Sequence, residues 1–153
     1  MTPNPKTSAP LLIALMKALL SEPEKLVTEA KGSSLAVQTW KQDHARLVGK
    51  GGETIYALRK IGEYLGVRLT LKDPEHQIQA LVTPAPEFDA VAMVKQLHAA
   101  AGDTAEVEAD DIEGMTAVAV RGSELAPDFA RAVTLICRKI GTITKRPIEI
   151  VYE

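Results

Sequence analysis

Between residues 41 and 60 lies the part of the chain whose residue types could do chemistry. It includes the run Leu47-Val48-Gly49-Lys50-Gly51-Gly52-Glu53-Thr54-Ile55-Tyr56-Ala57-Leu58. Three glycines and a lysine in four positions suit one task above others, which is holding an anion on backbone N–H groups. Without β-carbons the backbone can approach phosphate oxygens, and positive φ angles are open. Lys50 adds an ammonium at the tip, and Val48 and Ile55 flank the loop as apolar walls against which a base can lie. Arg46, Lys41 and His44 upstream, and Arg59 and Lys60 downstream, add positive charge, the main sequence-independent source of affinity for a nucleic-acid backbone.

Three glycine-loop patterns compete for this string. A Walker loop needs a hydroxyl residue after its lysine, but Gly51 follows Lys50. A dinucleotide fingerprint needs a third glycine where Thr54 stands. The GxxG pattern is met by Gly49 and Gly52. In that arrangement the loop joins two short helices, and the second helix turns its N-terminus toward the anion. The plain alternative is a flexible turn before a helix.

The flanking elements are the ones such a loop requires. Leu11, Leu12, Leu15, Leu19 and Leu20 recur at helical spacing, with Ser8 in the N-cap region and Pro10 in the first turn. Lys25–Ala30 and Ser34–Trp40 read as strands, and a basic loop leads from Trp40 to the glycines. A helix follows with Ile55, Leu58, Ile61 and Leu65 on one face, and Gly66 ends it. Val67, Leu69 and Leu71 alternate as a third strand.

The second half repeats the order. Phe88, Val91, Val94 and Leu97 mark a helix, and Ala105–Ala109 and Met115–Arg121 mark strands. Phe129, Val133, Ile136, Cys137 and Ile140 mark a second helix, and Ile148, Ile150 and Tyr152 a closing strand. Arg59-Lys60-Ile61-Gly62 recurs as Arg138-Lys139-Ile140-Gly141, and the same offset places Leu69 on Ile148. The expected fold class is therefore α+β, two tandem α-β-β-α-β units, each a three-stranded sheet with helices on one face. The expected division is a flexible tail over 1–10, a first unit over 11–74, a linker over 75–87 and a second unit over 88–153. His76 to Thr83 reads as an extra strand or as extended linker.

The stretch Leu11 to Asp73 resembles a type II KH domain, with the arrangement α-β-β-α-α-β. The opening Leu12 to Glu24, the Val48-Gly49-Lys50-Gly51-Gly52 loop and the Ile55-xx-Leu58 follow-on look like the small bacterial single-KH RNA-binding proteins. The resemblance implies that about four nucleotides of single-stranded RNA are clamped by the loop and its groove. It gives the backbone contact to Gly49, Lys50, Gly51 and Gly52, and one groove wall to Glu53–Leu58. The second half departs from the family: Asp128-Phe129-Ala130-Arg131 stand where the glycines should be. That unit resembles a KH-like fold without its loop and is expected to serve packing, dimerisation or a protein partner.

Composition narrows the alternatives. The 153 residues carry a net charge of -2 and only 4% aromatics, so nucleic acid must be met by a local patch rather than by overall charge or an aromatic platform. Residues 1–76 carry 11 Lys/Arg and 8 Asp/Glu, a net of +3. Residues 77–153 carry 7 and 12, a net of −5. This split assigns RNA contact to the first half. His44, His76 and His98 are dispersed, and the single Cys137 reads as buried packing, so no metal site and no cofactor are expected. The acidic run Asp103–Glu113 lacks calcium-loop spacing and reads as a solvated strand edge. No nucleophile–base set stands out, so no enzyme is expected. No stretch has the ~20 apolar residues of a membrane span, and a cytoplasmic protein is expected. Two other readings compete with RNA binding: a protein-interaction or assembly module, and single-stranded DNA binding.

Overall fold

The computed structural model describes residues 5–21, 23–74, 88–112 and 114–153. The fold is mixed α+β, built on two three-stranded sheets. The first half runs α1 (Pro5–Lys17), β1 (Val27–Lys31), β2 (Ser34–Gln38), α2 (Lys41–Val48), α3 (Glu53–Leu65) and β3 (Arg68–Leu71). The second runs α4 (Ala90–Ala100), β4 (Glu106–Ile112), β5 (Met115–Arg121), α5 (Pro127–Thr144) and β6 (Ile148–Tyr152).

In each sheet an antiparallel hairpin is followed by a strand parallel to the hairpin's second member. Parallel neighbours need a crossover connection, and α2 with α3, or α5 alone, supplies it. Leu35 stands opposite Leu69, and Val118 opposite Ile150. Leu35, Val37, Leu69, Val118, Val120, Ile148 and Ile150 are buried, so each sheet turns one face to the helices.

Three differences from the sequence reading concern local structure. Helix α1 begins at Pro5, inside the expected tail, because Ser8 and Ala9 are buried and Ala9 joins the core. The stretch after Trp40, a basic loop by its residues, is helix α2, as the α-β-β-α-α-β arrangement implied, which gives the first half one helix more than the second. The expected extra strand or linker, within 75–87, lies outside the described residues.

The repeat register has a structural counterpart. Val67 N–H donates to the Gly62 carbonyl at 2.8 Å, and Arg146 N–H donates to the Gly141 carbonyl at 3.1 Å. A β-carbon on Gly62 would lie 2.8 Å from the Val67 carbonyl oxygen. One on Gly141 would lie 3.0 Å from that of Arg146. Both glycines are present because the chain folds back tightly over the end of the helix at matching positions.

The halves share one core. Leu12, Leu15, Leu58, Ile61, Val94, Leu97, Phe129, Val133 and Ile140 belong to a single apolar cluster. Helices α3 and α5 pack antiparallel across the junction. Lys60 Nζ lies 3.6 Å from Asp128, and Lys139 Nζ lies 2.7 Å from Glu53, so the first turn of each helix meets the later part of the other. Units of ~70 residues have little core of their own, and this packing extends it.

Candidate nucleic-acid interface

The loop is positioned from both sides. Upstream, Asp43 is fully buried in the first turn of α2, where its carboxylate accepts the Ser21 backbone N–H at 3.1 Å and the Ser21 hydroxyl at 2.6 Å. This bond ties α2 to the chain just beyond α1. Leu47 seats the other end of α2 in the core. Trp40, at the start of α2, is buried as a core aromatic, with Lys25 Nζ 5.2 Å from its ring centroid.

Gly49 closes α2 by donating to the Ala45 carbonyl at 2.9 Å, and Gly52 donates back to the Gly49 carbonyl at 3.1 Å. The turn takes φ values of 75° at Gly49, 63° at Gly51 and 80° at Gly52. The reasons for the three glycines differ. At Gly49, with ψ 174°, the backbone is in a region essentially reserved for glycine. A β-carbon there would also overlap the Thr54 hydroxyl and lie 2.7 Å from Thr54 Cβ. At Gly51 and Gly52 a β-carbon would meet nothing within 4 Å, so these two are required by φ alone and leave the loop face open.

Helix α3 starts directly behind the loop, where its N-cap Gly52 offers no side chain and the Glu53 N–H donates to the Lys50 carbonyl. The buried Thr54 hydroxyl in that first turn has no hydrogen-bond partner among the described residues. The N-terminal end of the α3 dipole favours an anion there.

The structure divides the remaining expected site residues. Lys41, Arg46, Lys50 and Arg59 are exposed, and Val48 is half-buried at the end of α2. Ile55 is not a wall of the loop. It is 9% exposed and faces inward with Leu58 and Ile61 on the apolar side of α3. Lys60 also leaves the set, because it points across the junction between the halves. Its ammonium bonds Glu63 at 3.1 Å and lies near Asp128, and the Glu63 bond holds its pKa above the usual lysine range.

Tyr56 was missed. It is 66% exposed on the outer side of α3, with Arg59 one turn away. The helical spacing that puts Ile55, Leu58 and Ile61 inside leaves Tyr56 outside.

The second half lacks the loop for a backbone reason. Helix α5 has 18 residues against 13 in α3, and its extra turns run through the positions matching Val48–Gly52. Phe129, at the position of Lys50, is fully buried. Asp128, at the position of Gly49, accepts the Tyr64 hydroxyl at 2.7 Å and the Phe129 N–H at 2.9 Å. Donation by Tyr64 holds the Asp128 carboxyl below its ordinary range, with Phe129 N–H and Lys60 adding to the effect.

Asp103 is likewise not part of a solvated acidic edge. Its carboxylate is buried and accepts the Ser123 hydroxyl at 2.7 Å. It also accepts the Thr104 N–H at 3.0 Å and the Glu124 N–H at 3.1 Å. His98 Nδ1 lies 2.7 Å from the same carboxylate, and His98 Nε2 lies 2.9 Å from the Tyr152 hydroxyl. Burial works against the charge of Asp103, but the Ser123, Glu124 and His98 contacts outweigh it and lower its pKa. Serine, aspartate and histidine meet here in the wrong order for nucleophilic catalysis. Ser123 donates to Asp103, and the far ring nitrogen of His98 faces a tyrosine. The cluster ties the end of α4 to the β5–α5 connection and to β6.

No protein-family model matches the chain, and no curated protein sequence matches it significantly. A solved structure, the crystal structure of APE1850, aligns over 95% of this chain and 96% of its own, at 15% identity and a TM-score of 0.32. That overlap is too loose to carry fold family or function.

Proposed function

We propose that the chain binds single-stranded RNA at the Gly49–Gly52 loop, in the manner of a type II KH domain. In this reading the two halves are copies of one α-β-β-α-β plan, the first with an added helix and the loop, the second without the loop. The observation that carries it is the open loop face. Gly51 and Gly52 leave clear space, Lys50 is exposed at the tip, and the N-terminus of α3 lies directly behind them. A sugar-phosphate backbone could lie against the N–H groups there, with Lys50 neutralising a phosphate and the dipole of α3 adding a partial positive charge. The shared Arg-Lys-Ile-Gly register and the matching Val67–Gly62 and Arg146–Gly141 bonds support the repeat.

The test is the double variant Lys50→Asp/Gly51→Asp, titrated with single-stranded RNA beside its thermal melt. Two carboxylates would face the phosphates, and each lost contact weakens binding by about tenfold and lowers the salt slope by about one. Gly51 has φ 63° and ψ 17°, a left-handed conformation that aspartate tolerates better than most residues, so the melt should stay cooperative. Undiminished RNA binding with a native melt would reduce the loop to a turn. The assembly-module reading would then take its place.

A further inference from the structure

The second half carries a net negative charge, yet one of its surfaces has the opposite character. A groove of about 540 Å³ runs along α5, lined by Ala130, Arg131, Thr134, Leu135, Arg138 and Tyr152, and among the described residues no carboxylate lines it. Arg131 is exposed and makes no ion pair among the described residues. Arg138 meets Glu149 at 3.2 Å, but the two side chains are 58% and 45% exposed, and an ion pair so solvated is held weakly. The groove therefore offers two available guanidiniums over a floor of alanine, leucine and tyrosine. Guanidiniums pair with phosphates and stack on bases, and half-buried apolar side chains accept base faces.

Two further observations favour a nucleic-acid strand over an acidic peptide. In the repeat register Leu135 and Arg138 stand where the first half has Tyr56 and Arg59, just beyond the glycine loop. Lys139, the neighbour of Arg138, bonds Glu53, the residue that follows Gly52, which brings the later part of α5 against the first turn behind the loop.

We infer that the α5 groove is a second site for single-stranded RNA, taking nucleotides beyond those held at the glycine loop. This rests on the loop reading above, and it extends RNA contact into the half whose net charge argues against it. Affinity here would come from arginine and apolar contact rather than from backbone N–H groups, so the site needs no glycines.

The experiment uses the full chain and labelled oligouridylates of about four and about 20 nucleotides, followed by fluorescence anisotropy. The variant Arg131→Ala/Arg138→Ala should bind the long oligomer about tenfold more weakly and the short one within about twofold of the parent. Lys95→Ala, which removes an exposed charge on α4 that does not line the groove, should move neither. Both arginines are exposed, so the melts should match the parent. Unchanged affinity for the long oligomer in the arginine variant overturns the groove site, as does an equal loss in Lys95→Ala. If Lys50→Asp/Gly51→Asp leaves the short oligomer bound while the arginine pair still governs the long one, the loop reading fails and the groove remains a site.

Discussion

Replacing Gly49 with alanine should damage the protein far more than the same change at Gly51, two residues along the same loop. Gly49 has φ 75° and ψ 174°, and holding a residue with a β-carbon there costs about 1–3 kcal/mol. The new methyl would also collide with the Thr54 hydroxyl, 2.7 Å from Thr54 Cβ and 2.9 Å from Thr54 N. Thr54 is fully buried in the first turn of α3 and cannot swing away, so overpacking adds about 1–3 kcal/mol. The combined loss of about 2–6 kcal/mol is a large share of the 5–15 kcal/mol typical of a folded domain. Gly51 has φ 63° and ψ 17° with open space where its β-carbon would be, and Gly51→Ala should cost only about 1–2 kcal/mol. Urea unfolding of the parent and both variants measures the difference, provided the slopes agree. A double variant, Gly49→Ala/Thr54→Ala, should recover part of the loss, because the worst overlap is with the Thr54 hydroxyl. If Gly49→Ala were as mild as Gly51→Ala, or if Thr54→Ala gave no recovery, the packing of Thr54 beneath the loop would not be what requires Gly49.

Two further outcomes follow from the buried groups of the second half. The native pKa of Asp103 is lowered, so its contribution to stability is complete above the ordinary carboxyl range and is lost as the pH falls through the native value. Asp103→Asn should therefore cost about 1–3 kcal/mol at neutral pH and flatten the acid limb of a plot of urea midpoint against pH; an acid limb identical to the parent's would contradict the assignment. Burial pushes the Cys137 thiol up to about 12, so alkylation by iodoacetamide near neutral pH should proceed only at the rate of opening and speed up with urea. Fast labelling of the native protein would contradict that burial.

The glycine loop was legible in the sequence because its cause is local. Positive φ and the absence of β-carbons belong to Gly49, Gly51 and Gly52 themselves, and the helix behind them shows a regular apolar face. The same holds for α5, whose inward residues Phe129, Val133, Ile136 and Ile140 repeat at helical spacing. Helix α2 was not legible in its own residues, although the resemblance implied a helix before the glycines. Lys41 to Arg46 are almost all polar and only Leu47 gives an apolar anchor; the burial of Asp43 against Ser21, far away in the chain, fastens it. Lys60 and Arg59 are adjacent and both cationic, yet Lys60 is held between Glu63 and Asp128 of α5 while Arg59 stays in solvent. The Ser123–Asp103–His98–Tyr152 cluster likewise joins residues that no periodicity relates. Backbone conformation and helical periodicity are set within a few residues, and the sequence by itself determined those. Which charges are paired, and which stay free to meet a ligand, depends on which surfaces pack together. Only the tertiary structure decided that.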